Sequence, residues 1–222
     1  MKKLLCALLA FALICGAALA EVVNVTITNG QGELCLAWAP VEVSDIDGDG
    51  ALTIFDALYC AHEAYFPGGA EAGFATEDQG YGPSLTKLWG EENGGSYGYW
   101  INYVSAMSLA DPISPDDHIH AYAYQDLEAW SDQFSYIQFA DSDETSLTFS
   151  IIGYDADWNA VASPLAGASI IVDGEDTGLV TDENGCVEID ALGLSEPGEH
   201  IISASYDAAV LVPPVFKLTI GE

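Results

Sequence analysis

The sequence has 222 residues, enough for one or two domains with cores of their own, and 50% of them are hydrophobic, which excludes a disordered acidic chain. It sets 35 Asp+Glu against four basic residues, Lys2, Lys3, Lys87 and Lys217, for a formal net charge of −31. Such a surface repels phosphate backbones and anionic membranes, so nucleic-acid binding is excluded and divalent cations are the natural counter-charge.

The first element is a leader. Met1-Lys2-Lys3 is a basic start, Leu4 to Ala18 is apolar, and Ala18-Leu19-Ala20 is a small-x-small cleavage site. Residues 1–20 therefore read as a signal peptide, with a mature start at Glu21. The apolar run is too short for a spanning helix. Bulky Leu13-Ile14 before Cys15 argue against lipidation there. No second hydrophobic span follows, so a secreted or cell-surface protein without a membrane span or covalent anchor is expected.

Val22 to Thr28 alternates and is β-branched, which predicts a strand. Asn29-Gly30-Gln31-Gly32 is a turn, and Glu33 to Val43 a second strand interrupted at Pro40. After an acidic loop, Ile54, Ala57, Leu58 and Ala61 recur at helical spacing and predict a helix over about Ile54 to Ala64. Phe66-Pro67-Gly68-Gly69 ends it. Ala70 to Pro83 reads as a loop. Strands are expected at Leu85 to Trp89, Tyr97 to Tyr103 and His118 to Tyr124, with a hairpin-type turn at Glu91 to Gly95 between the first two. One helix on a small mixed sheet is an α+β, β-grasp (ubiquitin-like) arrangement spanning 21–130.

From residue 131 the pattern becomes all-β. Strands are expected at Phe134 to Phe139, Leu147 to Tyr154, Ala168 to Val172, Leu179 to Thr181, Cys186 to Ile189, His200 to Tyr206 and Val215 to Ile220. That spacing predicts an Ig-like β-sandwich over 131–222. Of the cysteines left after the leader, Cys35 and Cys60 form either a disulfide or two buried thiols, and Cys186 is a strand thiol.

The strongest motif is the twelve-residue loop Asp45 to Asp56. Calcium takes six to eight oxygens, and an EF-hand-type loop offers them at positions 1, 3, 5, 7, 9 and 12. Those places hold Asp45, Asp47, Asp49, the Ala51 carbonyl, Thr53 and Asp56. Gly50 stands at the sixth place, where the chain turns with positive φ, and Leu52 at the eighth can pack inward. Four carboxylates in one loop repel one another without a cation, so Ca2+ is the expected ligand. The alternative is a solvated Asp/Gly turn that caps a helix.

A second candidate is the aromatic group Trp89, Tyr97, Tyr99, Trp100, Asn102 and Tyr103. On an ideal strand Tyr97, Tyr99, Ile101 and Tyr103 share one face, and Trp100 and Asn102 the other. One face is expected in the core, leaving the other for a small ligand, a glycan or a surface protein. His118 and His120 share a strand face; a transition-metal site there would need further ligands, with His62 not placed, and the alternative is strand residues with polar tips. No nucleophile elbow, phosphate loop or triad order is present, so a non-catalytic role is expected.

The loop with Ala57-Leu58 resembles one calcium loop-helix of a dockerin repeat, which implies a protein–protein docking module of a polysaccharide-degrading assembly. Thr53-Ile54-Phe55-Asp56-Ala57-Leu58, Tyr97-Gly98-Tyr99-Trp100-Ile101-Asn102-Tyr103-Val104 and Asp116-Asp117-His118-Ile119 together resemble the DUF4430, or transcobalamin C-terminal-like, family. That resemblance covers about Val22 to Tyr124 and implies a β-grasp fold and an extracellular binding role, with a corrinoid (cobalamin) among the ligands. Pro164 to Gly174 and Thr181 to Val187 resemble bacterial Ig-like or carboxypeptidase-regulatory-like domains, which implies a spacer or adhesive module.

Overall fold

The structure is a computed structural model that describes residues 21–78, 80 and 82–221. The expected signal peptide, with Cys15 and the cleavage site at Ala20, lies outside the described residues.

β1 (Glu21–Thr28) and β2 (Leu34–Val43) form an antiparallel hairpin. Its turn is held by the Asn29 side chain, which accepts the N–H groups of Gln31 and Glu33. Then follow α1 (Ile54–Tyr65), a short α2 (Gly69–Gly73), β3 (Ala75–Asp78), β4 (Pro83–Lys87), β5 (Tyr97–Ile101), β6 (Val104–Ala106) and β7 (His118–Ala123). The main sheet runs β2-β1-β7-β5-β6, with β1 parallel to β7 and the other neighbours antiparallel. That order, with one helix across the sheet, is the β-grasp arrangement.

The alternation in β1 decides what faces the helix. Val23, Val25 and Ile27 are buried with Ile119 and Ala121 of β7 and with Ile54, Ala57, Leu58 and Ala61 of α1. Burying a Leu or Ile side chain contributes about 1.5–3 kcal/mol, so this layer dominates the stability of the N-terminal half.

Three expectations are corrected. The stretch 70–83 is not all loop: it holds α2, β3 and the start of β4, the last two paired as a separate hairpin. Glu91 to Gly95 does not join two paired strands, because β4 pairs with β3 while β5 pairs with β6 and β7. The strand from Tyr97 stops at Ile101. Asn102 (φ 48) and Tyr103 (φ 68) make a two-residue turn with both residues at positive φ, and Ile101 pairs with Val104 across it.

The C-terminal half is all-β. It comprises β8 (Gln133–Phe139), β9 (Ser146–Tyr154), β10 (Ala160–Pro164), β11 (Ser169–Val172), β12 (Glu175–Val180), β13 (Cys186–Glu188), β14 (Gly198–Ser205), β15 (Leu211–Val212) and β16 (Val215–Ile220). One sheet runs β10-β9-β8-β15, with β13 also on β9, and the other runs β12-β11-β14-β16. Ile137, Leu147 and Phe149 of the first meet Ile170, Ile202 and Leu218 of the second, which makes a β-sandwich. β10 and β15 are absent from the sequence expectation. The first is exposed along its whole length and the second has two residues, so neither leaves a hydrophobic alternation to read.

The sheet face of the N-terminal half that points away from α1 is covered by the C-terminal half. Trp100 stacks on Phe134 with ring centroids 4.0 Å apart, and Tyr103 on Tyr136 at 4.8 Å. Tyr103 Oη also donates to the Ile137 carbonyl. Trp38, at φ 48 in β2, stacks on His118 at 3.8 Å and meets the edge of Phe216. Trp100, Tyr122, Phe134, Ile152 and Val212 form a small core of their own between the two larger ones.

Candidate metal centre and aromatic residues

The loop between β2 and α1 folds around its own carboxylates. Asp45 accepts the Gly48 N–H at Oδ1 (2.7 Å) and the Gly50 N–H at Oδ2 (2.9 Å). Asp47 Oδ1 accepts the Asp49 N–H, and Asp49 Oδ1 accepts the Ala51 N–H. Gly48 (φ +77) and Gly50 (φ +90) supply the left-handed turns this winding requires. The outcome is a cluster of three exposed carboxylates, Asp45, Asp47 and Asp49, with an oxygen of each within 4.8 Å of the others. This cluster could hold a metal ion. The Asp49 N–H favours the Asp47 carboxylate, but loss of solvent and the charges of Asp49, Asp56 and Asp45 outweigh it, so the Asp47 carboxyl sits above its ordinary range.

Thr53 and Asp56 are placed differently. Asp56 is fully buried, at 0% exposure, and is not part of that cluster. Its Oδ1 accepts the Ile46 N–H (2.7 Å), and its Oδ2 accepts both the N–H (2.9 Å) and the hydroxyl (2.8 Å) of Thr53. Asp56 thus ties the first residues of the loop to the N-cap of α1, a capping role that the acid three residues into a helix is suited to. Oδ2 has both lone pairs engaged by Thr53, whereas Oδ1 accepts one N–H and keeps a lone pair for a cation. Leu52 packs against the N-terminal core, and its carbonyl accepts the Ile113 N–H. The first N–H groups of α1, on Ile54 and Phe55, donate to the Asp111 and Leu109 carbonyls. The C-terminal end of the loop is therefore held by backbone the sequence motif does not include, and its N-terminal end by Asp56. The oxygen-only donor set fits a hard divalent cation such as calcium.

The aromatic group divides between the two sheet faces. Tyr97, Tyr99 and Trp89 are half-buried against the N-terminal core, as Ile101 is. Trp100 and Tyr103 lie on the opposite face, against the C-terminal half. Tyr103 changes face because the turn at Asn102–Tyr103 ends the strand before it. Asn102 Oδ1 accepts the His118 N–H, and its Nδ2 donates to Asp117. Burial pushes the Tyr103 phenol up to about 12 and raises that of Tyr99.

His118 and His120 are buried on the face with Trp38, and their Nε2 atoms hydrogen-bond to the hydroxyls of Thr26 and Thr28 at 2.8 and 2.9 Å. Burial lowers both: His118 to about 3, and His120 well below the ordinary histidine value, with His118 adding to its shift. They remain neutral and are satisfied within the protein. Cys35, Cys60 and Cys186 are free thiols, each half-buried.

The sequence reading missed the aromatic side chains that line the open groove at the junction: Tyr122, Tyr124, Trp130 and Tyr154. Trp130 carried the available signal, a bulky apolar residue inside a polar segment. None of the described helices is long and apolar enough to cross a membrane. Comparison with protein-family models, curated proteins and solved structures found no match.

Proposed function

We propose that this chain is an exported, non-catalytic binding module whose N-terminal half is stapled by one calcium ion in the loop Asp45 to Asp56. The observation that carries the reading is the convergence of the Asp45, Asp47 and Asp49 carboxylates at the open end of a loop whose other end is closed by buried Asp56. Asp45, Asp47 and Asp49 would hold the ion, joined by the Ala51 carbonyl, Thr53 and Asp56. Bound calcium neutralises the mutual repulsion of these carboxylates and fixes β2 against the start of α1. Because the unfolded chain has no such site, binding free energy adds to folding free energy. The leader-like residues 1–20 and the acidic, lysine-poor composition support an extracellular setting, where millimolar calcium suffices for a module of this kind.

The test is thermal melting in EDTA and in about 1 mM calcium, a concentration chosen for extracellular modules, for the wild type and an Asp45→Ala/Asp49→Ala variant. Calcium at ten times Kd stabilises by about 1.4 kcal/mol, which raises Tm by about 3–5 °C for a chain of this size. The variant should show no such rise. Equal melting in EDTA and calcium for the wild type would leave the loop a capped acidic turn.

A further inference from the structure

At the junction of the two halves, two adjoining hollows of about 210 and 220 Å3 share Trp100, Tyr122, Tyr124 and Tyr154 as walls. Trp130 and Asp132 border the first, and Met107 borders the second. Gly98 forms part of the floor, where a Cβ would collide with the Tyr122 ring. The rim is unusually apolar for exposed surface: Trp130 is 62% exposed, Tyr154 57% and Met107 88%.

Trp130 is held in this position. Its backbone is left-handed (φ 50), a conformation that bulky residues rarely adopt. Its segment is tied down by Asp126, which accepts the N–H groups of Glu128 and Ala129, and by Asp132, which accepts those of Gln125 and Asp126. Its Nε1 reaches Ser96 Oγ at 3.4 Å. The fold thus fixes an indole at the mouth of a groove without burying it.

Charge selects the class of ligand. No Lys, Arg or His lines either hollow, and one carboxylate, Asp132, does. The whole chain carries 35 acidic residues and four basic ones. The negative faces of aromatic rings attract cations, most strongly those with weakly hydrated, alkylated heads. We propose that this groove binds a small organic cation, with an alkylated ammonium group seated among Trp100, Tyr122, Tyr124, Trp130 and Tyr154 and the charge of Asp132 beside it. A neutral ligand of the same shape would gain the apolar contact but nothing from the acidic field, and an anion would be repelled. The groove shares no residue with the loop Asp45 to Asp56, so the inference stands apart from the calcium reading.

Choline is titrated into the full chain, in EDTA and again with calcium, with tryptophan fluorescence as the readout. The uncharged carbon isostere of choline and a neutral disaccharide are titrated in parallel. Expected are a saturable choline response in both conditions, weakened by added salt, and binding of the isostere at least about tenfold weaker, the discrimination a cation–π site provides. Trp130→Ala should weaken choline about tenfold while melting is unchanged. If that variant melts early, the exposed Tyr154→Ala serves in its place with the same expected loss. Equal binding of the isostere, saturation by the disaccharide alone, or no saturable response to choline would each overturn the proposal. None of these outcomes bears on whether calcium raises the melting temperature.

Discussion

The backbone N–H of Trp89 donates to Nε2 of His62 at 2.9 Å, and Nδ1 of the same ring donates to the Leu58 carbonyl at 2.6 Å. This fixes a single neutral tautomer in a ring that is fully buried. A second proton on Nε2 would point at the Trp89 N–H. Burial accordingly lowers the His62 pKa, against the favourable pull of the Leu58 carbonyl. His62 thereby anchors the turn after β4, where Trp89 sits at φ 50, to the last turn of α1.

Three of the four histidines, His62, His118 and His120, have folded-state pKa values below the ordinary 6.5. As pH falls through 6.5 the unfolded chain takes up these protons and the folded chain does not. Stability is therefore highest above about 6.5 and falls with acidification, for His118 down to about 3. Each buried histidine contributes a slope of up to about 1.4 kcal/mol per pH unit. Urea unfolding between pH 7 and 5, above the range in which ordinary carboxylates titrate, should show the loss. His118→Gln with His120→Gln should flatten the slope. A wild-type free energy constant across that window would contradict the neutral assignment.

Asp56 and Asp47 should behave differently although both belong to the loop. Asp56→Ala leaves the Ile46 and Thr53 N–H groups without their acceptor, which costs about 2 kcal/mol with or without calcium. Asp47 is exposed and its Oδ1 accepts one local N–H, so Asp47→Ala should matter chiefly when calcium is present. Denaturation in EDTA and in calcium separates the two. Equal effects of both variants in EDTA would show that the buried cap does not close the loop.

The Trp100–Phe134 stack is the contact on which coupling between the halves should be read. Phe134→Ala removes a 97%-buried ring between two cores and costs about 3–5 kcal/mol. Calorimetry should then show the wild type melting in one transition and the variant in a broadened or split one, because the small shared core that links the halves is emptied. A variant that melts as one sharp transition, only earlier, would mean that the remaining contacts suffice for coupling.

Gly98 is a steric gate. Its φ is not left-handed, yet any Cβ there meets the Tyr122 ring. Gly98→Ala should cost about 1–3 kcal/mol by overpacking and turn Tyr122 toward the groove. Near-UV circular dichroism would register the displaced aromatic ring, and an unchanged spectrum with unchanged stability would refute the collision.

The sequence made the helix and the loop legible because both are local. Ile54, Ala57, Leu58 and Ala61 declare one face of a helix, and the Asp spacing with Gly50 declares the winding of the loop. Asp56 shows the limit of spacing: position 12 marks a ligand, but whether its oxygens also serve the Ile46 and Thr53 N–H groups depends on three-dimensional closure. Tyr103 lies on the face opposite to the one alternation predicts, because positive φ at Asn102 and Tyr103 is invisible to alternation. The covered sheet face was illegible for a further reason. Thr26, Thr28, His118 and His120 are polar and leave no hydrophobic pattern on that face, yet they pair with one another and are buried under Trp38 and Phe134.

The parallel pairing of β1 with β7 also sets an order of assembly. Thr26 and His118 are 92 positions apart, yet they are neighbours in the middle of the sheet. The hairpin β1–β2, the loop and α1 can form from nearby residues, whereas β7, which joins them to β5 and β6, pairs with β1 across a long stretch of chain. Closing so long a stretch is slow compared with local steps. Until β7 inserts, both β1 and β5 present unpaired edges that invite pairing with another chain. A newly made chain would spend that interval with those edges exposed. Its dense negative charge acts throughout that interval, holding partly built copies apart until the central strand closes the sheet.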